Sequence, residues 1–431
     1  MKRFSLSALR EMKGFLALWG TQSLSALGSG MTNFALILWS YQQEGSALTT
    51  ALLAVCSYAP YVLMSILAGA VSDRWNKKIT MLLCDAFAAL CTVGVLTLLH
   101  LGKLEIWHLY LINALNGLMN TFQKPASEVA SSLLAPKEHY QTVGALHAFS
   151  SSLNSILTPV LAAALYALIG IGGVIWVDLG TFAIAFGVLA FGIHLPDSKK
   201  SDKAKEPWGE TVRTGLRYLQ KNRGILDIIL FLAAINFTAS MYNAALPALL
   251  IPKANEQVLG WVQSAGGIAM LAGSLISTTL PAPKSRVRVI CNTLLLSMST
   301  ENFFLALGSS APVWCLGAVL GWVGIPLMNA NLDALLRHSI PLELQGRVYA
   351  CRNSLQFFTI PLGYLLGGFL VDNIFEPFMA AQSQGLLTQL FGMGKGSGAA
   401  ALYLLLGFLG TFSCLIFRKD KHIWALEKKE R

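Results

Sequence analysis

The chain has 431 residues, of which 54% are hydrophobic and only 13% charged, with a mean hydropathy of +0.57. A soluble domain carries roughly 25% charged residues to solvate its surface, so this composition excludes a water-soluble globule and points to lipid as the main solvent. The formal charge of +10 is the Lys and Arg excess that a membrane protein keeps on its cytoplasmic side; without a nucleic-acid reader motif it does not argue for a nucleic-acid partner.

Apolar runs of roughly 20 residues recur along the chain, each long enough to cross hydrocarbon as a helix. Lipid offers no partner to an open strand edge, and the runs lack the alternation of a barrel strand, so an all-α membrane protein is expected. Basic residues Lys2, Arg3, Arg10 and Lys13 precede an apolar run from Phe15. The run continues to about Tyr41 without a small-residue cleavage site, which predicts a retained first helix and not a signal peptide.

Predicted helices one to six run approximately Lys13–Tyr41, Thr50–Ser72, Ile79–His100, Ile106–Ser127, Thr142–Ile169 and Gly173–Leu195. Predicted helices seven to twelve run approximately Ile225–Leu250, Leu259–Leu280, Val287–Leu307, Val313–Arg337, Val348–Val371 and Gly398–Phe417. The charged stretch 196–223 separates an N-terminal six-helix bundle (1–195) from a C-terminal one (224–431) and marks a pseudo-repeat. Within that linker Trp208, Val212, Leu216 and Leu219 recur at helical spacing, with Arg213, Arg217 and Lys221 elsewhere around the turn, as in an amphipathic interfacial helix or a solvated linker helix. A second long connection, 372–397, contains the apolar Leu386, Leu387, Leu390 and Phe391. With the N-terminus placed in the cytoplasm, only Lys103, Lys253 and Lys395 of the 32 basic residues fall in outside loops, so both termini are expected to be cytoplasmic.

Seven cysteines, odd in number and in no paired spacing, read as small apolar side chains, with neither a disulfide framework nor a metal site. No HExxH motif, GxSxG elbow or Walker loop is present, so neither enzyme chemistry nor ATP drive is expected and no cofactor is implied.

The internal amides carry the most information. Helix four holds Asn113, Asn116, Asn120 and Gln123, and steps of three, four and three put all of them on one face. Helix one adds Gln22 and Asn33, helix seven Asn236 and Asn243, helix ten Asn329 and Asn331. Amides are costly in lipid, so these faces should meet protein or water. Their concentration on four helices favours a shared substrate cavity over hydrogen-bonding glue, which would be spread across all helices.

Ionisable residues inside the predicted spans are Asp85, Glu128, His147, Asp178, Glu301, Asp333, Arg337 and Arg352. An unpaired charge there costs several kcal/mol, so each is a functional candidate. Asp333, two residues from Asn331, leads as a coupling residue, followed by the deep Glu301 and by Asp85.

The segment Gly69-Ala70-Val71-Ser72-Asp73-Arg74-Trp75-Asn76-Lys77-Lys78 resembles the signature loop between helices two and three of the major facilitator superfamily. The stretches 215–224 (GLRYLQKNRG) and 345–349 (QGRVY) resemble that family's macrolide-efflux-like branch. The resemblance implies a twelve-helix major facilitator fold in which helices one, four, seven and ten line the cavity. It also implies a breakable cytoplasmic gate, with Asp73 facing the helix-eleven terminus near Arg347 and Gly69, Arg74, Lys77 and Lys78 around it; Glu128 is a partner for the basic members. Asn116 stands where many proton-coupled drug exporters carry Arg, and the second-half counterpart of the loop, 281–289, has lost its Asp. The expected activity is secondary export of amphipathic, drug-like small molecules, coupled to protons as an antiporter in the cell membrane by a monomer. The rivals are a metabolite importer of the same fold and, more remotely, a polytopic membrane enzyme.

Overall fold

The computed structural model describes residues 11–136, 139–195, 208–281 and 283–430; side chains at 65–74, 141, 208–212, 342–343, 345–347, 350 and 428–430 lie outside that description. Every regular element among the described residues is helical. Nine stretches among the described residues are long and apolar enough to cross a bilayer. One of them, Thr142–Gly192, has 51 residues, about 75 Å of helix at 1.5 Å per residue, enough for two crossings.

By contact clustering the chain forms two compact units, Met1–Ser40 with Cys56–Lys203, and Tyr41–Val55 with Ala204–Arg431. The first holds most of α1 (Lys13–Glu44) and α2 (Ala47–Arg74), then α3 (Lys77–His100), α4 (Ile106–Leu134) and α5 (Tyr140–Gly187). α5 turns sharply at Gly170, whose φ of 67° is a left-handed conformation that glycine adopts without steric cost, and so yields the two arms predicted as helices five and six. α2 and α4 come into backbone contact, since a Cβ on Gly117 would overlap the Ser57 carbonyl. Small apolar clusters tie the same helices together, one of them joining Leu18, Met81, Ala126, Ala130, Leu189 and Ile193.

The second unit holds the linker helix α6 (Trp208–Lys221), then α7 (Arg223–Lys253), α8 (Glu256–Thr279) and α9 (Arg286–Leu307). Predicted helix ten is two pieces, α10 (Ala311–Trp322) and α11 (Ile325–Ser339); the break falls at Gly324, just before Pro326, whose ring and missing N–H cannot continue the preceding turn. Helix eleven is likewise α12 (Leu342–Phe357) and α13 (Thr359–Leu370), running on through a π-turn, Val371–Phe375, into α14 (Glu376–Ala380). α15 (Leu386–Phe391), α16 (Ser397–Arg418) and α17 (Lys421–Glu430) complete the chain. Gly363 and Gly367, four residues apart on one helical face, meet the α7 backbone at Phe237 and Met241.

α6 forms where the amphipathic pattern predicts, and of the predicted apolar face Leu219 is buried while Leu216 is not. Gly215 and Leu219 are buried, Leu216 is exposed, and the Tyr218 hydroxyl donates to Ser339 O at 3.0 Å. The side chains of Trp208 and Val212 lie outside the described residues. α15 accounts for the apolar piece of the 372–397 connection: Phe391 is buried and its carbonyl accepts from Lys253 Nζ at 2.9 Å.

The end of α13 anchors two other helices. Asp372 accepts from Ser46 Oγ (2.6 Å), Ala47 N (3.0 Å) and Leu48 N (2.8 Å) at the start of α2, while Glu376 accepts from Gly396 N and Ala399 N at the start of α16. Both carboxylates satisfy N–H groups that have no partner within their own helix, at its positive end. Asp372→Ala orphans two of them, and a fall of about 2 kcal/mol in stability is expected. Thermal unfolding in detergent checks this, with Asp372→Asn falling between the variant and the wild type.

Candidate functional site

Helices α1, α3, α4 and α5 of the first unit enclose a cavity of about 500 Å³. Four amides on one face of α4 reach it because their spacing follows the helical repeat: Asn113, Asn116, Asn120 and Gln123 all line the wall, together with Gln22 and Asn33 from α1. Leu18, Leu36, Ile112, Met119 and Phe182 supply its apolar surface. Asn113 donates to Leu109 O on its own helix at 2.9 Å, whereas Asn116 Oδ1 is buried without a hydrogen-bond partner among the described residues.

Two buried carboxylates stand in this wall. Asp85, on α3, accepts from Gln22 Nε2 at 3.2 Å and from Gln123 Nε2, so amides of α1 and α4 clamp it from two sides. Asp178, on the second arm of α5, accepts from Ser29 Oγ of α1 at 3.0 Å and has the Thr32 hydroxyl beside it. The pattern marked Asp178 only as one intramembrane charge among eight. Its solvation by α1 hydroxyls is a contact across almost 150 residues, and the one local hint is the run of small residues Gly28-Ser29-Gly30 that lets α5 approach.

The other candidates are placed differently. Asn236 donates to Gln356 O at 3.4 Å, Asn243 to Ala239 O at 2.8 Å and Asn331 to Leu327 O at 2.9 Å, while Asn329 is exposed. Asn331 and Asp333 do not share an environment: two residues along a helix is about 200°, so Asn331 is buried and Asp333 is 56% exposed, 3.6 Å from Arg352. Glu301 is enclosed by three other helices of the second unit, with Trp322 Nε1 donating at 2.8 Å, the Tyr242 hydroxyl as a second donor, and Tyr403, whose hydroxyl donates to Tyr242 O at 2.7 Å, behind it.

At the expected gate, Lys78 Nζ donates to Ala190 O (2.8 Å) and Ile193 O (2.7 Å), and Lys77 Nζ to Trp75 O (2.9 Å). The pairing of Lys78 is thus with carbonyls of the π-helical segment Val188–Gly192 and the residue after it, which continue α5, and not with Glu128, which is exposed. The side chains of Gly69, Asp73, Arg74 and Arg347 lie outside the described residues. The seven cysteines are free thiols. Among the described residues, Asp227, Asp420 and His422 form the one cluster with metal-ligand spacing, and it joins α17 to α7, His422 Nδ1 lying 3.1 Å from Asp227.

The sequence profile of the Major Facilitator Superfamily matches residues 18–280. Macrolide efflux protein A of Streptococcus pyogenes is 21% identical over 366 residues, covering 84% of this chain and 90% of that protein. The multidrug efflux pump Tap of Mycolicibacterium fortuitum is 26% identical over 361 residues, covering 80% and 86%. A crystal structure of the nucleoside transporter NupG superposes with a TM-score of 0.67 over 94% of this chain and 99% of that one, at 13% identity, a likeness of fold alone. With a family match over more than half its length, apolar helices of spanning length and a polar cavity inside one unit, the chain is a membrane transporter of the Major Facilitator Superfamily.

Proposed function

We propose that this transporter exports amphipathic, drug-like small molecules from the cell by alternating access of two six-helix halves, as a proton-coupled antiporter. The observation that carries the reading is the N-terminal cavity: amides and buried carboxylates on one side, Leu, Ile, Met and Phe on the other, in a volume suited to a small organic molecule. The efflux activity named for Macrolide efflux protein A and for Tap supports the direction.

In this reading Gln22, Asn33, Asn113, Asn116 and Asn120 contact substrate, with Asn236, Asn243, Asn329 and Asn331 as their second-half counterparts. Proton coupling falls to buried carboxylates, Asp85 and Glu301 among them. Asp333 serves with Arg352 as an ion pair that can break and re-form, and Gly69, Asp73, Arg74, Lys77, Lys78, Glu128 and Arg347 form the cytoplasmic gate. The protein works as a monomer in the cell membrane with both termini in the cytoplasm, binds no nucleic acid or cofactor, and alters no covalent bond of its substrate. The positive-inside distribution of Lys and Arg supports that orientation.

In everted vesicles energised to an acid interior, a lipophilic dye should accumulate when the protein is present and leak out on adding an uncoupler. Accumulation that ignores the uncoupler removes proton coupling, and none at all removes export.

A further inference from the structure

Asp178 is a carboxylate, 4% exposed, that no cation among the described residues neutralises. The basic side chains around the cavity are engaged elsewhere. The Lys124 ammonium lies 5.4 Å from the centre of the Tyr61 ring, and His147 pairs its Nε2 with Ser131 Oγ at 3.1 Å while meeting Phe15 edge-on. Lys78 is taken up by the Ala190 and Ile193 carbonyls. The other acid on the wall, Asp85, already receives two amide donors, whereas the hydroxyls near Asp178 are Ser29, which donates once, and Thr32.

The wall also holds acceptors that lack donors. Thr32 Oγ1 and Asn116 Oδ1 are both buried, both line the cavity, and among the described residues neither accepts a hydrogen bond. Unmet acceptors in the same cavity wall as an uncompensated carboxylate are a demand for N–H donors carrying positive charge. A hydroxyl or an amide of a neutral ligand supplies donors without the charge; a carboxylate or phosphate would add to the imbalance. A protonated amine supplies both, with up to three N–H groups to share among Asp178, Thr32 and neighbouring acceptors. The apolar wall of Leu18, Leu36, Ile112, Met119 and Phe182 then takes the hydrocarbon body.

We propose that Asp178, with Thr32 and Ser29, is the seat for the ammonium group of the transported molecule, so that the cavity selects amphipathic amines over neutral molecules of the same shape. This rests on the transporter reading above and names its substrate class. The pair Gln22 and Ser29 places the two acids along α1. Seven residues, two turns, separate these partners, so Asp178 sits about 10 Å further along the helix axis than Asp85, and one ammonium engages one acid at a time.

The test uses the full chain in lipid nanodiscs, with phenylbutylamine and phenylbutanol as matched probes and empty nanodiscs to subtract partitioning into lipid. Wild-type protein should bind the amine at least about tenfold more tightly, the scale of a charge-assisted hydrogen bond in a buried site. Asp178→Asn should abolish that preference through weaker amine binding, with a thermal-unfolding midpoint close to that of the wild type showing that the variant is folded. Thr32→Val, which keeps the shape and removes the acceptor, should lower the preference by about threefold. Equal binding of amine and alcohol by the wild type, or an amine preference that survives Asp178→Asn, overturns the assignment. Transport in everted vesicles separates the two ideas. Efflux of a neutral amphiphile without amine preference leaves export standing and removes the ammonium seat; amine binding without movement of any amphiphile removes export and leaves the seat.

Discussion

Glu301→Ala should destabilise the protein by about 3 kcal/mol or more, the larger part from donors left without an acceptor. The carboxyl group is 4% exposed and receives Trp322 Nε1 at 2.8 Å and the Tyr242 hydroxyl. Removing it strands both donors inside the bundle and opens a void where α10 passes close, since a Cβ on Gly321 would already overlap the Glu301 carboxyl. Glu301→Gln keeps an acceptor in place and should recover most of the loss. Thermal-unfolding midpoints in detergent decide it, and an alanine variant as stable as the glutamine one means that the cluster does not hold α7, α9 and α10 together. Transport by the glutamine variant then separates coupling from support: full proton-driven efflux by Glu301→Gln removes this residue from the coupling machinery.

Gly117→Val is expected to be the most damaging substitution in the first unit. Any Cβ at this position runs into the Ser57 backbone carbonyl, which cannot swing aside as a side-chain tip would, so α2 and α4 must separate. Overpacking of this kind costs about 1–3 kcal/mol. Here it also displaces Asn116, one residue away, and the cavity wall it belongs to. Expected results are a lowered unfolding midpoint and loss of dye efflux, with Gly117→Ala intermediate in both. A valine variant with wild-type efflux would show that the wall tolerates the shift.

The spanning elements were readable because lipid leaves a one-dimensional mark: long apolar runs interrupted by charge. The α4 amides were readable for the same reason, their steps of three and four being local and periodic. Partner choice was not readable, because interhelical packing decides it. In sequence, Asp333 stands two residues from Asn331 while Asp178 has apolar neighbours, and the pattern favours Asp333. Packing sets Asp178 against hydroxyls of α1, while Asp333 turns outward to Arg352. On α6 the apolar pattern finds Leu219, which is buried, but passes over Gly215 and the hydrogen-bonded Tyr218. The interruption of helix ten at Gly324 falls two residues before Pro326, inside what the apolar pattern shows as one span, Val313–Arg337.

One helix serves both acids of the N-terminal cavity. Gln22 and Ser29 project from α1 within about 20° of each other, because two turns nearly close on seven residues. Turning α1 about its own axis therefore swings both donors off their carboxylates together, and sliding it lengthwise shifts both by the same amount. A ligand or proton that changes what Asp178 asks of Ser29 changes, through a single stiff rod, how firmly Gln22 can grip Asp85: the helix is a crankshaft with two pins set in line.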